Sequence, residues 1–220
     1  MRVMTSPERV VVVGASGFGR ECLDVLEAMV AAGSAVEVVG VVDDRPSELN
    51  LERLTARGAR HLGTVDGWLA SIRRDERFVL GIGDPQVRRR VVAVLEDAGA
   101  RPLTAVHPSA TLGARTVLGD GVVVCAGATI STNVRLGRHV HVNPNATIGH
   151  DAALEEFVSV NPAAVVSGEV RVGEGSLIGA AATVLQQLTV GRDAIIGAGA
   201  VVTKAVPDGV VVTGVPGVWR

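Results

Sequence analysis

Residues 142–172 read VNPNATIGHDAALEEFVSVNPAAVVSGEVRV, and every sixth residue is aliphatic: Val142, Ile148, Leu154, Val160, Val166 and Val172. Followed outward, the ladder runs unbroken from Val106 to Val202, and each of its seventeen rungs is Val, Ile or Leu. The residue after the rung is glycine eight times, from Gly113 to Gly197, and the residue four places on is small or β-branched everywhere except at Leu188. A period of six suits neither an α-helix nor a plain amphipathic strand. It suits short strands meeting at turns, one aliphatic per strand pointing into a narrow prism, with glycine permitting φ > 0 and close backbone approach. No single repeat could bury its apolar side alone, so the stack must share one core. Composition agrees: 47% hydrophobic residues and 27 Gly, with three Phe, two Trp and no Tyr, describe an interior of Val, Ile, Leu and Ala.

The N-terminal third reads differently. Val10–Val13 is a short apolar strand, followed by Gly14-Ala15-Ser16-Gly17-Phe18-Gly19 and a helical pattern through Leu23, Leu26 and Val30. A second strand, Val36–Val42, ends at Asp43-Asp44; residues 45–63 read as polar and irregular, and Val65–Ile72 as a short helix. Phe78–Ile82 is a third strand ending at Gly83, and Val87–Leu95 is helical. This βαβαβα order predicts a small parallel sheet with ligand groups at the strand C-termini. The expected architecture is a Rossmann-like α/β domain over residues 1–105 and a parallel β-helix over residues 106–220. A glycine loop opening a helix can hold an anion on free N–H groups and the helix dipole. At this level three readings stay open: a plain tight turn, a dinucleotide site with Asp43 on a ribose, or a site for a nucleotide diphosphate sugar.

A net charge of −2 points to neither a nucleic-acid nor an anionic-membrane partner. The two cysteines cannot make a disulfide framework, and no Cys/His cluster has zinc spacing, so no metal is expected. The apolar run in MRVMTSPERVVVVGAS is short for a signal peptide or a membrane span, and the expectation is a soluble, cytoplasmic protein.

GASGFGRE, VVDD, GIGDPQVRRR and HPSA, followed by the hexapeptides, resemble the hexapeptide-repeat acyltransferases along the whole chain. The match is to the subgroup of sialic-acid O-acetyltransferase-like proteins and nucleotide-amino-sugar N-acetyltransferases. The resemblance implies a left-handed β-helix of 18-residue coils, acetyl-CoA as co-substrate, a nucleotide-linked amino sugar as acceptor, and a homotrimer with active sites between subunits. It implicates Ser16, Gly17 and Phe18 in the phosphate loop, Asp43 and Asp44 near the nucleoside, and Gly83 after the third strand. Relatives commonly carry His where this chain has Phe18, leaving the backbone N–H as the expected contact there.

Acetylating an amine needs a base, because a sugar ammonium with a pKa of about 8 is largely protonated at neutral pH. Of the five histidines, His150 lies in NPNATIGHD, which matches the subgroup's catalytic stretch. The resemblance makes His150 the general base and Asp151 its acidic partner. Gly168 follows His150 by 18 residues, one coil on; the resemblance gives its N–H to the oxyanion, and a simple turn glycine is the alternative. Asn143 is expected at the acceptor sugar, or as part of a stacked asparagine turn with Asn161. Nine residues after His150, relatives often carry a second His that contacts acetyl-CoA; here it is Ser159. His141, one coil before Ser159, is a candidate to take over that contact, or else faces solvent. Ala180 and Ala198 are expected along the pantetheine arm, and Lys204 either at a CoA phosphate or solvated. His61 and His107 read as structural, His139 as exposed, and Cys125 as a small buried filler. Other activities considered are sugar O-acetylation, which can use the same residues, a γ-type carbonic anhydrase, and a non-catalytic sugar-nucleotide-binding protein.

Overall fold

The computed structural model describes residues 7–219; Met1–Ser6 and Arg220, at the ends of the two expected domains, lie outside it. Four parallel strands form the N-terminal sheet, in the order β2–β1–β3–β4: β1 is Glu8–Val13, β2 Val36–Val42, β3 Glu76–Leu80 and β4 Arg101–Pro102. The apolar run Val10–Val13 makes β1 the central strand, buried on both faces as parallel strands usually are. Helix α1 is Gly17–Ala31, and α4 is Pro85–Asp97. Asp84 starts α4, its carboxylate accepting the N–H groups of Gln86 and Val87, with Pro85 at the first helical position. Between them lie α2, Glu48–Ala56, and α3, Val65–Leu69. Helix α2 corrects the irregular reading of 45–63: Ser47 caps it by accepting the Asn50 N–H at 3.2 Å.

From Ala105 onward the chain winds as a left-handed β-helix. Seventeen two-residue strands, from Ala105–Val106 to Val201–Val202, each end on one rung of the aliphatic ladder. They stack into three parallel sheets in a register of 18 residues: His141 pairs with Ser159, Thr147 with Val165, Ala153 with Arg171. The first face begins with Ala105–Val106, the second with Thr111–Leu112 and the third with Val117–Leu118. Fourteen rungs, Val124 to Val202, are at most 3% exposed. In the first coil Leu112 remains 39% exposed, because no coil lies beyond it. At the other end the period breaks: Val206 bridges Val190 and Val211–Val212 pairs with Ile195–Ile196, a register two residues short. Trp219 packs on this end, with the Lys204 ammonium 4.7 Å from its ring centroid.

Two features of the turns recur every six residues. Fifteen positions from Arg115 to Gly199 are left-handed, and eleven of them are not glycine, with φ between 51° and 62°. The glycines that follow the rungs have another purpose. A Cβ on Gly149 would lie 2.5 Å from the Gly168 nitrogen, so what these glycines provide is close approach of the next coil, not positive φ.

The N-terminal domain sits on the first face and on the corner between the third and first faces. Cys22, Leu23 and Leu26 of α1 share a core with Ala105, Val123 and Cys125. Arg138 pairs with Glu96, and Arg89 reaches Asp193 at 3.0 Å and Glu174 at 3.2 Å.

Candidate functional site

His150 stands on the corner between the second and third faces, in the turn after Thr147–Ile148. Its Nδ1 lies 2.7 Å from Asp151 Oδ2, and Asn133 Nδ2 donates to Asp151 Oδ1 at 2.9 Å. An ionised carboxylate only accepts, so Nδ1 carries a proton, and in the neutral ring the lone pair lies on Nε2. The hydrogen bonds from His150 first, and Asn133 second, hold the Asp151 carboxyl below its ordinary range. Asp151 is one of the left-handed turn residues, and this conformation turns it back toward its neighbour's ring. The imidazole lies over Gly168: a Cβ there would meet Nε2 at 2.6 Å and Cε1 at 2.7 Å. Any side chain at 168 would therefore push the ring of the preceding coil out of this position. Among the described residues the Gly168 N–H has no backbone acceptor. Asn133 went unrecognised in the sequence, although it precedes Asp151 by the same 18-residue step.

The C-terminal ends of β1, β2 and β3 enclose a cleft of about 570 Å³, lined by Ser16, Asp43, Asp44, Ile82 and Gly83 among others. Ser16 precedes α1 and makes no side-chain cap, leaving its hydroxyl and the first N–H groups of the helix unclaimed by one another. Asp43 braces the loop, Oδ2 accepting the Ala15 N–H at 2.8 Å and Oδ1 the Arg45 N–H at 2.9 Å. Asp44 Oδ1 accepts the Val65 N–H at 2.8 Å. Gly17 and Phe18 are not among the lining residues. The Phe18 ring packs on His141, centroids 4.6 Å apart.

Three histidine-related expectations differ from the structure. His139 is not exposed but fully buried, stacked between the rings of Phe78 at 6.0 Å and Phe157 at 5.4 Å. His141 does not face solvent, and neither it nor Ser159 is open to a coenzyme: each is 1% exposed, covered by the N-terminal domain on the first face. Ser159 instead accepts from Arg88 at 3.0 Å and donates to the Gly83 carbonyl at 3.2 Å. Interdomain packing of this kind leaves no periodic trace in a sequence.

Burial, then the Arg138 charge, pushes the His139 pKa down to about 4, against an opposing pull from Glu96. Burial likewise pushes His141 well down. Both rings are neutral in the folded chain, whereas an unfolded His titrates near about 6.5. Stability is thus intact above that value and falls as the pH drops toward 4, because only the unfolded chain takes up the protons. Each buried ring contributes a slope of up to about 1.4 kcal/mol per pH unit. Chemical denaturation across pH 4–7 should show this slope, and His139→Phe should flatten it; an unchanged slope in that variant would contradict the assignment.

Ala180 and Ala198 stack 18 residues apart on the corner between the first and second faces, as does Asn143. Asn143 is 7% exposed, and its Nδ2 donates to Val160 O at 3.0 Å and Asn161 Oδ1 at 3.4 Å, which makes it a stacked turn residue. The candidate residues thus divide among three places: the His150 corner, the corner of Ala180 and Ala198, and the cleft against the first face. Among the described residues no three His, Cys, Asp or Glu side chains are grouped to hold a metal ion, and no helix is long and apolar enough to cross a membrane.

Comparison with known proteins adds the following. The PglD N-terminal domain family matches residues 9–95, the hexapeptide repeat of succinyl-transferase residues 110–143, and the bacterial transferase hexapeptide residues 169–204. A mutant of perosamine N-acetyltransferase from Caulobacter crescentus, in complex with CoA and GDP-perosamine, is 31% identical, with 96% of each chain covered and a TM-score of 0.84. The acetyltransferase domain of PglB from Neisseria gonorrhoeae, in complex with acetyl coenzyme A, is 29% identical over 97% of this chain and 100% of that one, with a TM-score of 0.84. WeeI from Acinetobacter baumannii is 25% identical over 96% and 99%, also at 0.84. No curated protein matches the chain in sequence.

Proposed function

Because the chain belongs to the left-handed β-helix acetyltransferases that carry a PglD-type N-terminal domain, we propose that it transfers the acetyl group of acetyl-CoA to the amino group of a nucleotide-linked sugar. The observation that carries this reading is the Asn133–Asp151–His150 chain of hydrogen bonds, which holds Nδ1–H on Asp151 and points the exposed Nε2 over Gly168. Acetyl-CoA supplies an acetyl group already activated as a thioester. His150 Nε2 takes the proton from the amine as its nitrogen bonds to the acetyl carbon, and returns it to the departing sulfur. Asp151 holds the ring and offsets the charge it gains. The Gly168 N–H is placed to donate to the oxygen that becomes negative between the two steps. The nucleotide lies across the cleft and the start of α1: the nucleoside in the cleft near Asp43 and Asp44, the phosphates at its Ser16 rim and on the N–H groups of Gly17 and Phe18 just beyond it.

The triangular section supports an active site shared between copies. The cleft abuts the first face through Gly83 and Ser159, whereas His150 occupies the edge opposite that face. Ala180 and Ala198, proposed along the pantetheine arm, lie on another edge. A homotrimer in which unlike corners meet would bring the three parts together, in the cytoplasm where sugar nucleotides and acetyl-CoA are made.

The test is a thiol-release assay with acetyl-CoA over a panel of UDP-, dTDP- and GDP-linked amino sugars, with hydroxyl-only analogues as controls. Turnover of at least one amino sugar, with N-acetylated product by mass spectrometry, is expected. Release of thiol only with hydroxyl acceptors, or with none, would overturn the reading.

A further inference from the structure

Arg88, on the first turns of α4, is the largest fully buried side chain among the described residues, at 0% exposure. Among the described residues it forms no ion pair, although the charge of Asp84, at the start of the same helix, acts on it. Its Nη1 donates to the carbonyls of Ile82 at 3.0 Å and Gly83 at 3.1 Å, both in the lip of the cleft. Its Nη2 donates to Phe157 O at 2.6 Å, to Val158 O at 3.3 Å and to Ser159 Oγ at 3.0 Å, all on the β-helix. Ser159 closes the circuit by donating to Gly83 O. Burial lowers the guanidinium pKa to about 9, which still leaves it charged at neutral pH.

A buried cation without a direct ion pair is a poor device for stability alone, since an apolar side chain of similar volume often serves as well or better. What a guanidinium adds is direction: a planar fork of donors that ties several acceptors to one orientation. Here the fork joins the loop after β3, which lines the cleft proposed for the sugar nucleotide, to residues 157–159 of the prism, half a coil beyond His150. Elsewhere the domains meet through apolar and ring packing, of α1 on the first face and of Phe78 on His139, and through exposed ion pairs, none of which carries such a buried fork.

Resting on the proposed function, the geometry points to Arg88 as a positioning residue: it sets the angle of the cleft on the prism and so where the acceptor amine arrives. A shift of about 1 Å at the reacting atoms costs on the order of 10²-fold in rate.

The experiment compares Arg88→Met and Arg88→Lys with the unaltered protein. Calorimetry gives the Kd of the sugar nucleotide and of CoA, thermal melting gives Tm, and the thiol assay gives kcat. The expected result is a kcat about 10–100-fold lower, with both Kd values within twofold and Tm unchanged or raised in the Met variant. An unchanged kcat, or a loss matched by weaker nucleotide binding or a lower Tm, would overturn the proposal. Ser159→Ala, which removes one acceptor and the bond to Gly83, serves if Arg88→Met does not fold. A few-fold loss in kcat at constant Kd and Tm supports the role, and no loss overturns it. Failure of the underlying reading looks different: the unaltered protein itself would release no thiol with any amino sugar.

Discussion

His150→Ala lowers kcat by about 10²–10⁴-fold, the range that a well-placed general base contributes. The affinity for acetyl-CoA stays within a few-fold, because the imidazole is assigned to the amine and not to the coenzyme. Folding is unaffected as well: the side chain is 56% exposed and outside the aliphatic core. Steady-state kinetics, with CoA binding and a melting curve on the same sample, separate the three quantities. Ordinary turnover in this variant would leave Asp151 and Asn133 with nothing to orient and would remove the base from the scheme.

Gly168→Ala is expected to cost on the order of 10²-fold in kcat while removing none of the groups that do chemistry. The new methyl group would sit 2.6 Å from His150 Nε2, well inside contact distance. The backbone has little room to retreat. The neighbouring Glu169 N–H donates to His150 O at 2.8 Å, and Gly168 O accepts from Gln187 at 2.9 Å. The exposed ring is the softer partner, so it swings away and leaves its bond to Asp151. Gly168 is not among the positive-φ residues, so alanine fits its backbone and Tm should change little. If kcat stays within twofold of the unaltered protein, the ring is not held in the orientation described here.

The fold was largely legible because its determinant is one-dimensional. Every coil repeats the same demand for an aliphatic, and from Val106 to Val202 every rung ends a strand. The same arithmetic places Gly168 next to His150 from the spacing alone. Applied one coil earlier, it would also have found Asn133. Helix α2 escaped because SELNLERL carries a weak apolar pattern, and its Ser47 cap is a single local bond. The burial of His139, His141 and Ser159 escaped for a different reason. On a strand of the first face, an outward residue reads as solvent-facing unless something covers it, and the cover comes from about 70 residues away in the chain, where Arg88 meets Phe157. Such contacts follow from how two domains dock, which neither periodicity nor motif encodes. Asp43 was expected near a nucleoside; that its two oxygens also brace the backbone of Ala15 and Arg45 emerges only from the folded loop.

The uninterrupted 18-residue register has a consequence for how such a chain can change over generations. Each side chain's neighbours above and below are set by counting, as with Asn133, Asp151 and Glu169, or His150 and Gly168. A deletion of one residue inside the ladder would shift every later column by one place and carry core aliphatics to the outside, much as a one-residue slip does in a sheet. Single substitutions and gains or losses of entire turns of the solenoid escape that penalty. Length variation in descendants of this chain should therefore collect where the counting stops: in the N-terminal domain, and beyond Val202, where the register is already two residues short.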